Sequence, residues 1–256
     1  MKSIWKGAIS FGLVNIPVRM YSATQSQALD LDMLRKDDHC KVYFKRVCRD
    51  DGKEIPYEDI VKGYKYKDGD YVILTDKDFE SANVEKTHTL EIIHFVKESE
   101  ISSVYYDKPY FLDSEKTGMK AYGLLKDAIK KSGKVGVARY VIRNREHIGV
   151  IKTYKDFLIV NQLRYPAEIR STEGLAKPPA KEASAKEIDM AEALIKQLTY
   201  KFKPAEYKDT YIDELKKIIE DKAKGKKVKA KGKAPKATGT KDIMTLLKKS
   251  IAKKAA

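Results

Sequence analysis

Cysteine is nearly absent from this chain: Cys40 and Cys48 are the only two in 256 residues. Two cysteines cannot build the disulfide framework of a small secreted domain, and they suit a reducing cytosol. Histidine is scarce as well, with His39, His88, His94 and His147 scattered along the chain. His39, Cys40 and Cys48 offer three zinc donors where a structural site wants four in close pairs, and no CxxC occurs. Reduced thiols and no metal are therefore expected. Long apolar runs are missing too. Lys6, Asn15, Pro17 and Arg19 interrupt the opening stretch well before a signal peptide or a membrane span would be complete. Lysines do bind anionic lipid, but residues 222–239 lack the large apolar side chains an interfacial helix buries. The expectation is a cytoplasmic protein with no membrane partner.

Catalytic motifs are equally lacking. There is no GxxxxGK[ST], no HExxH and no GxSxG. Arg49-Asp50-Asp51-Gly52 resembles the KxDG motif of nucleotidyl-transferring ligases, but arginine stands at the lysine position. A guanidinium stays protonated and supplies no neutral amine to attack a phosphate, so the stretch reads as a turn. The acidic pairs Asp37-Asp38 and Asp50-Asp51 read as loop residues. No catalytic residue and no cofactor is expected; the chain reads as a binder.

What is plentiful is lysine, and it is unevenly spread. Residues 222–256 hold thirteen lysines against one acid, Asp242, which places +12 of the net +15 there and leaves +3 for residues 1–221. Each lysine that neutralises a phosphate releases condensed counterions, so such a tail points to nucleic acid. Composition alone serves a general nucleoid-associated or RNA-binding protein as well as one with a preference for particular DNA structures.

Most of residues 1–172 read as short strands rich in Val, Ile, Tyr and Phe, at 4–21, 41–48, 71–75, 87–97, 104–112, 135–143, 148–153 and 157–163. Their regular spacing predicts a mainly β sandwich or barrel. One helix is inserted at 117–131, where Met119, Tyr122, Leu125 and Ile129 recur at helical spacing before Gly133. Residues 174–186 have the composition of a linker. Beyond them Ile188, Ala191, Leu194, Ile195, Leu198 and Phe202 mark an amphipathic helix with Ser184 as N-cap ahead of Glu187. Pro204 breaks it, and Tyr211, Leu215, Ile218 and Ile219 mark a second helix. This 187–222 arm needs a cover, either the barrel or a second copy of the chain. Gly225, Gly232, Pro235 and Gly239 predict a flexible basic tail over 223–256. A short amphipathic helix with Ile243, Leu246, Leu247 and Ile251 on one stripe ends it, too short to fold except on a partner.

Strand alternation sorts the basic residues by face. Over 137–145, Arg139, Arg143 and Arg145 fall opposite Ala138, Tyr140 and Ile142; over 41–47, Lys41, Tyr43 and Lys45 fall opposite Val42, Phe44 and Arg46. Lys62, Lys65 and Lys67 surround Tyr64 and Tyr66. Such surfaces grip phosphates, with tyrosines as flat contacts; the competing reading is a solvated face whose arginines pair with acids such as Glu146.

Several separate blocks resemble prokaryotic Ku proteins: residues 4–18 (IWKGAISFGLVNIPV), 43–48 (YFKRVC), 52–64 (GKEIPYEDIVKGY), 138–147 (ARYVIRNREH), 163–165 (LRY), 204–209 (PAEYKD) and 242–247 (DIMTLL). The resemblance implies a Ku-type β-barrel core over 1–173, with a bridge at about 41–67 and a helical arm. It further implies a homodimeric ring threaded by double-stranded DNA ends, which recruits an ATP-dependent DNA ligase through its C-terminal region in non-homologous end joining. The amino-terminal α/β domain of eukaryotic Ku is expected to be absent, because the barrel motif starts at Ile4. On this reading Lys41, Tyr43, Lys45, Arg46, Lys62, Lys65 and Lys67 belong to the bridge, and Arg139, Arg143 and Arg145 lie near the ring's inner wall. Leu194, Ile195, Leu198 and Phe202 serve dimerisation, and Lys226, Lys227, Lys229, Lys231 and Lys233 provide tail contacts to DNA. A nuclease or ligase with an unrecognised site is the reading that the missing motifs oppose.

Overall fold

A computed structural model describes residues 1–82, 88–143, 145–177, 184–226 and 243–255. The chain forms two compact units, Met1–Ser26 with Asp30–Ser171, and Gln27–Leu29 with Thr172–Ala256.

The first unit is built on a closed barrel of seven strands: β1 (Trp5–Phe11), β2 (Val14–Ser22), β5 (Thr89–Lys97), β6 (Tyr106–Ser114), β7 (Lys134–Ile142), β8 (Arg145–Tyr154) and β9 (Phe157–Leu163). Their order around the barrel is β1-β2-β6-β9-β8-β7-β5. Every pairing is antiparallel except the seam, where Ala8, Ile9 and Ser10 of β1 run parallel to Thr89, Leu90 and Glu91 of β5. The expected strand over 4–21 is instead a hairpin. Gly12 supplies the positive φ of 59° that reverses the chain, and Leu13 at the tip is fully exposed.

Alternation places Ile9, Ile16, Val18, Met20, Leu112, Ala138, Tyr140, Ile151, Leu158 and Val160 in one buried cluster. The inserted helix α2 (Met119–Ser132) adds Tyr122, Leu125 and Ile129 to that cluster, as the sequence predicts, and Gly133 ends it in the left-handed region. Tyr122 also stitches two strands. Its hydroxyl donates to Leu112 O and accepts from Leu158 N, both at 2.6 Å, and burial pushes its pKa up to about 12. Gly149 lets the Tyr140 ring cross β8: a Cβ there would stand 3.2 Å from the ring and 2.9 Å from Asn161 O.

Residues 30–82 lie in the same unit but form no part of the barrel. They hold a two-stranded sheet, β3 (Lys62–Lys65) against β4 (Tyr71–Leu74), and the helix α1 (Asp76–Ala82). Ahead of these stand two turns with one hydrogen-bond scheme. In the first, His39 N donates to Arg35 O at 3.0 Å and Arg35 N to Cys40 O at 2.8 Å; in the second, Gly52 N donates to Cys48 O at 3.0 Å and Cys48 N to Lys53 O at 2.8 Å. An aspartate accepts from the backbone two residues on in each, Asp38 from Cys40 N and Asp51 from Lys53 N, both at 3.1 Å. The guanidinium of Arg35 clamps Asp38 and holds its carboxyl at about 2.

The second unit carries α3 (Ala185–Leu198), α4 (Thr210–Ala223) and α5 (Ile243–Ala255). Ser184 and Glu187 form the predicted capping box on α3. Helix α5 packs against α3, where Gln197 Nε2 donates to Ile251 O at 3.4 Å. The terminal helix thus has its partner within its own chain. Residues 227–242, about half of the expected flexible tail, lie outside the described residues.

Candidate nucleic-acid interface

The expected strand over 41–48 does not form. Each of the two turns closes its own short hairpin, through the single bridges Leu34–Lys41 and Val47–Glu54, so residues 42–46 have no continuous neighbour. Alternation has no buried side to define there. Phe44, expected on an apolar face, is 81 % exposed, and Tyr43 is 85 % exposed. The cations take acidic or aromatic partners instead. Lys41 pairs with Asp32 at 2.9 Å, Lys45 with Glu54 at 2.7 Å, and the Arg46 guanidinium lies 5.0 Å from the centre of the Tyr57 ring. Glu54 raises the pKa of Lys45.

Farther along, Lys62 and Lys65 project from β3, and Lys67 sits in the 3-10 turn after it. Lys62 Nζ lies 4.6 Å from the centre of the Phe79 ring, and Lys67 Nζ lies 6.0 Å from that of Tyr66. Tyr57, Tyr64, Tyr66 and Tyr71 are all exposed. Interleaved cations and flat rings thus cover this part of the unit.

On the barrel, the three arginines do not share one continuous face. Arg139 projects outward from β7 between the buried Ala138 and Tyr140, but β7 ends at Ile142. Arg143 turns into the left-handed region with φ 50°, and Arg145 opens β8 opposite Ile142. The hairpin turn interrupts the alternation that the sequence suggests. Arg139 reaches Glu91 at 3.3 Å and Glu146 at 3.8 Å, and Arg145 reaches Glu168 at 3.1 Å. Arg143 has no carboxylate within ion-pairing distance among the described residues, and its charge acts on Tyr110. Glu146 is the acid the sequence suggests as a partner. Glu91, 48 positions from Arg139, gives no sequence signal; only the β5–β7 register places it directly opposite Arg139.

A polar cavity of about 160 Å³ lies beside Arg145, lined by Asp107, His147, Arg164, Tyr165 and Glu168 among others. Burial, with Arg145 nearby, lowers the His147 pKa. Among the described residues no group of three His, Cys, Asp or Glu side chains is placed to hold a metal, and no helix is long and apolar enough to cross a membrane.

The apolar stripe expected along α3 divides. Leu194 is half-buried with Met190, Ala191 and Gln197, while Ile195 and Leu198 remain exposed. Phe202 lies beyond the helix, which ends at Leu198, and its ring rests 5.3 Å from that of Tyr207. Lys226 pairs with Asp221 at 3.3 Å; Lys227, Lys229, Lys231 and Lys233 lie outside the described residues.

Residues 10–190 match the Ku family, described as the Ku70/Ku80 beta-barrel domain. The chain belongs to the Ku family. Its relatives include proteins named non-homologous end joining protein Ku. That of Opitutus terrae is 40 % identical over 98 % of this chain and 91 % of its own length. The Bacillus subtilis protein is 38 % identical over 88 % and 73 %, and that of Pseudomonas aeruginosa 36 % identical over 99 % and 89 %. The seven-stranded barrel is thus a Ku barrel, and residues 30–82 lie within the span of the Ku-family match.

Proposed function

We propose that this Ku-family chain binds the ends of double-stranded DNA in non-homologous end joining, without reading sequence. It acts as a homodimer and recruits an ATP-dependent DNA ligase through its C-terminal region. The observation that carries this reading is that residues 30–82, rich in exposed tyrosines and lysines, contain no buried residue among those described. A two-stranded sheet with both faces in water is marginal by itself, so this segment needs a surface to lie against. A phosphate backbone suits its lysines and a second copy suits its aromatic and aliphatic side chains. The exposed Ile195, Leu198 and Phe202 support the dimer, and the lysines of 222–256 add affinity that any duplex shares. The bridge at about 41–67, the arm at 187–222 and the basic tail at 223–256 are the divisions this function uses.

The test is competition for a labelled linear duplex by equal masses of closed circular and linearised plasmid at moderate salt. Competition by the linearised form alone is expected. Equal competition would make this a general DNA binder dominated by its lysines. Removing residues 223–256 is expected to weaken binding and flatten its salt dependence while the dimer persists in sedimentation.

A further inference from the structure

The outer face of the barrel carries an apolar row where alternation calls for polar side chains. On β2, β6 and β9 the inward set includes Val18, Met20, Leu112, Leu158 and Val160, all fully buried. The residues between them point outward, and the register aligns Tyr21, Phe111 and Ile159 straight across the three strands. Beside this row lies a pocket of about 460 Å³, lined by Met1, Tyr21, Phe111, Leu112, Asp113 and Phe157. The Tyr154 ring, 6.1 Å from that of Phe111, extends the patch, and Tyr154 and Phe157 are half exposed. A pocket of this size accepts a bulky anchor side chain. Asp113 is the one charged side chain in the lining. The register sets it opposite Arg19, but Arg19 and Lys6 both turn to Glu115, at 3.3 Å and 3.1 Å. Asp113 is left without an ion-pair partner among the described residues. A carboxylate on an aromatic rim repels phosphate and attracts a cation.

We infer that this pocket docks a segment of a partner protein. An aliphatic or aromatic side chain of the segment enters it, and a neighbouring lysine or arginine meets Asp113. Strand β8 runs from Arg145 to Tyr154, and Tyr154 pairs with Phe157. The pocket therefore lies roughly 30 Å along the strand from the arginine turn, so the segment and a phosphate bound at that turn do not compete.

The test selects a phage library of random dodecapeptides on the full chain, with the F157S variant as counter-target. The selected peptides are then measured by fluorescence polarisation. They are expected to join an apolar residue to a lysine or arginine, although a chain of net charge +15 attracts acidic peptides at long range. F157S should weaken them by about tenfold or more. D113K should weaken them about threefold, the scale of one exposed ion pair, and D113N by less. No enrichment, affinity that survives F157S, or selected peptides without a cation would overturn the inference. So would a loss of duplex affinity or of dimer sedimentation in F157S or D113K, which would give this face to DNA or to a second copy. Thermal unfolding shows that each variant is folded, and Y154S replaces F157S if the latter is not.

Discussion

Residues 41–48 and 157–163 look alike on paper, KVYFKRVC and FLIVNQL, both dense in side chains that favour strands. The second is β9, paired on both edges, with Leu158 and Val160 fully buried. The first has single bridges at its ends and leaves Tyr43 and Phe44 in water. Across residues 30–82 the only half-buried described residues are Cys48, Ile55, Leu74 and Phe79. Strand propensity is thus satisfied only where the topology supplies neighbours on both sides. The barrel is complete within one chain, and the segment beside it presents its apolar and basic side chains outward.

That contrast breaks most sharply under truncation. Leu158→Ala in the barrel should cost about 2–5 kcal/mol of stability, read from chemical denaturation. Phe44→Ala should shift the same curve by no more than about 0.5 kcal/mol yet weaken DNA binding; a large loss of stability would mean that residues 41–48 are packed after all. Tyr122→Phe leaves Leu112 O and Leu158 N without their buried partner and should cost about 1–3 kcal/mol. Charge reversal at Lys62, Lys65 and Lys67 should lower DNA affinity by more than about tenfold with an unchanged unfolding midpoint. Arg143→Glu should do the same to a lesser degree, since no carboxylate among the described residues holds that side chain. The smallest effect is on pH dependence. His147 has a lowered pKa in the folded chain, so the unfolded chain takes up its proton first as pH falls. Stability should therefore decline as pH drops through about 6.5, and His147→Gln should flatten that part of the profile.

Much of this is legible in the sequence. The inserted helix with its Gly133 terminator, the Ser184–Glu187 capping box and most barrel strands follow from spacing and end signals. The failures are topological. Nothing in 137–145 announces that Arg143 turns out of the strand. Likewise nothing near Arg139 announces Glu91, because cross-strand partners are set by register between distant segments. The division of the α3 stripe was also hidden, since the mate of its inner face, α5, lies some fifty residues downstream.

The parallel seam between β1 and β5 has a consequence for how the chain reaches this state. Ala8 must meet Thr89, so β1 waits some eighty residues for the neighbour on its second edge. During synthesis the β1–β2 hairpin leaves the ribosome long before β5 and β6, with two unsatisfied edges and an apolar side of Ile9, Ile16, Val18 and Met20. Closure joins segments far apart in sequence, which makes folding slow and leaves that hairpin open to pairing with other nascent chains. Expression yield, more than the stability of the finished barrel, is where substitutions in the first twenty residues should be felt.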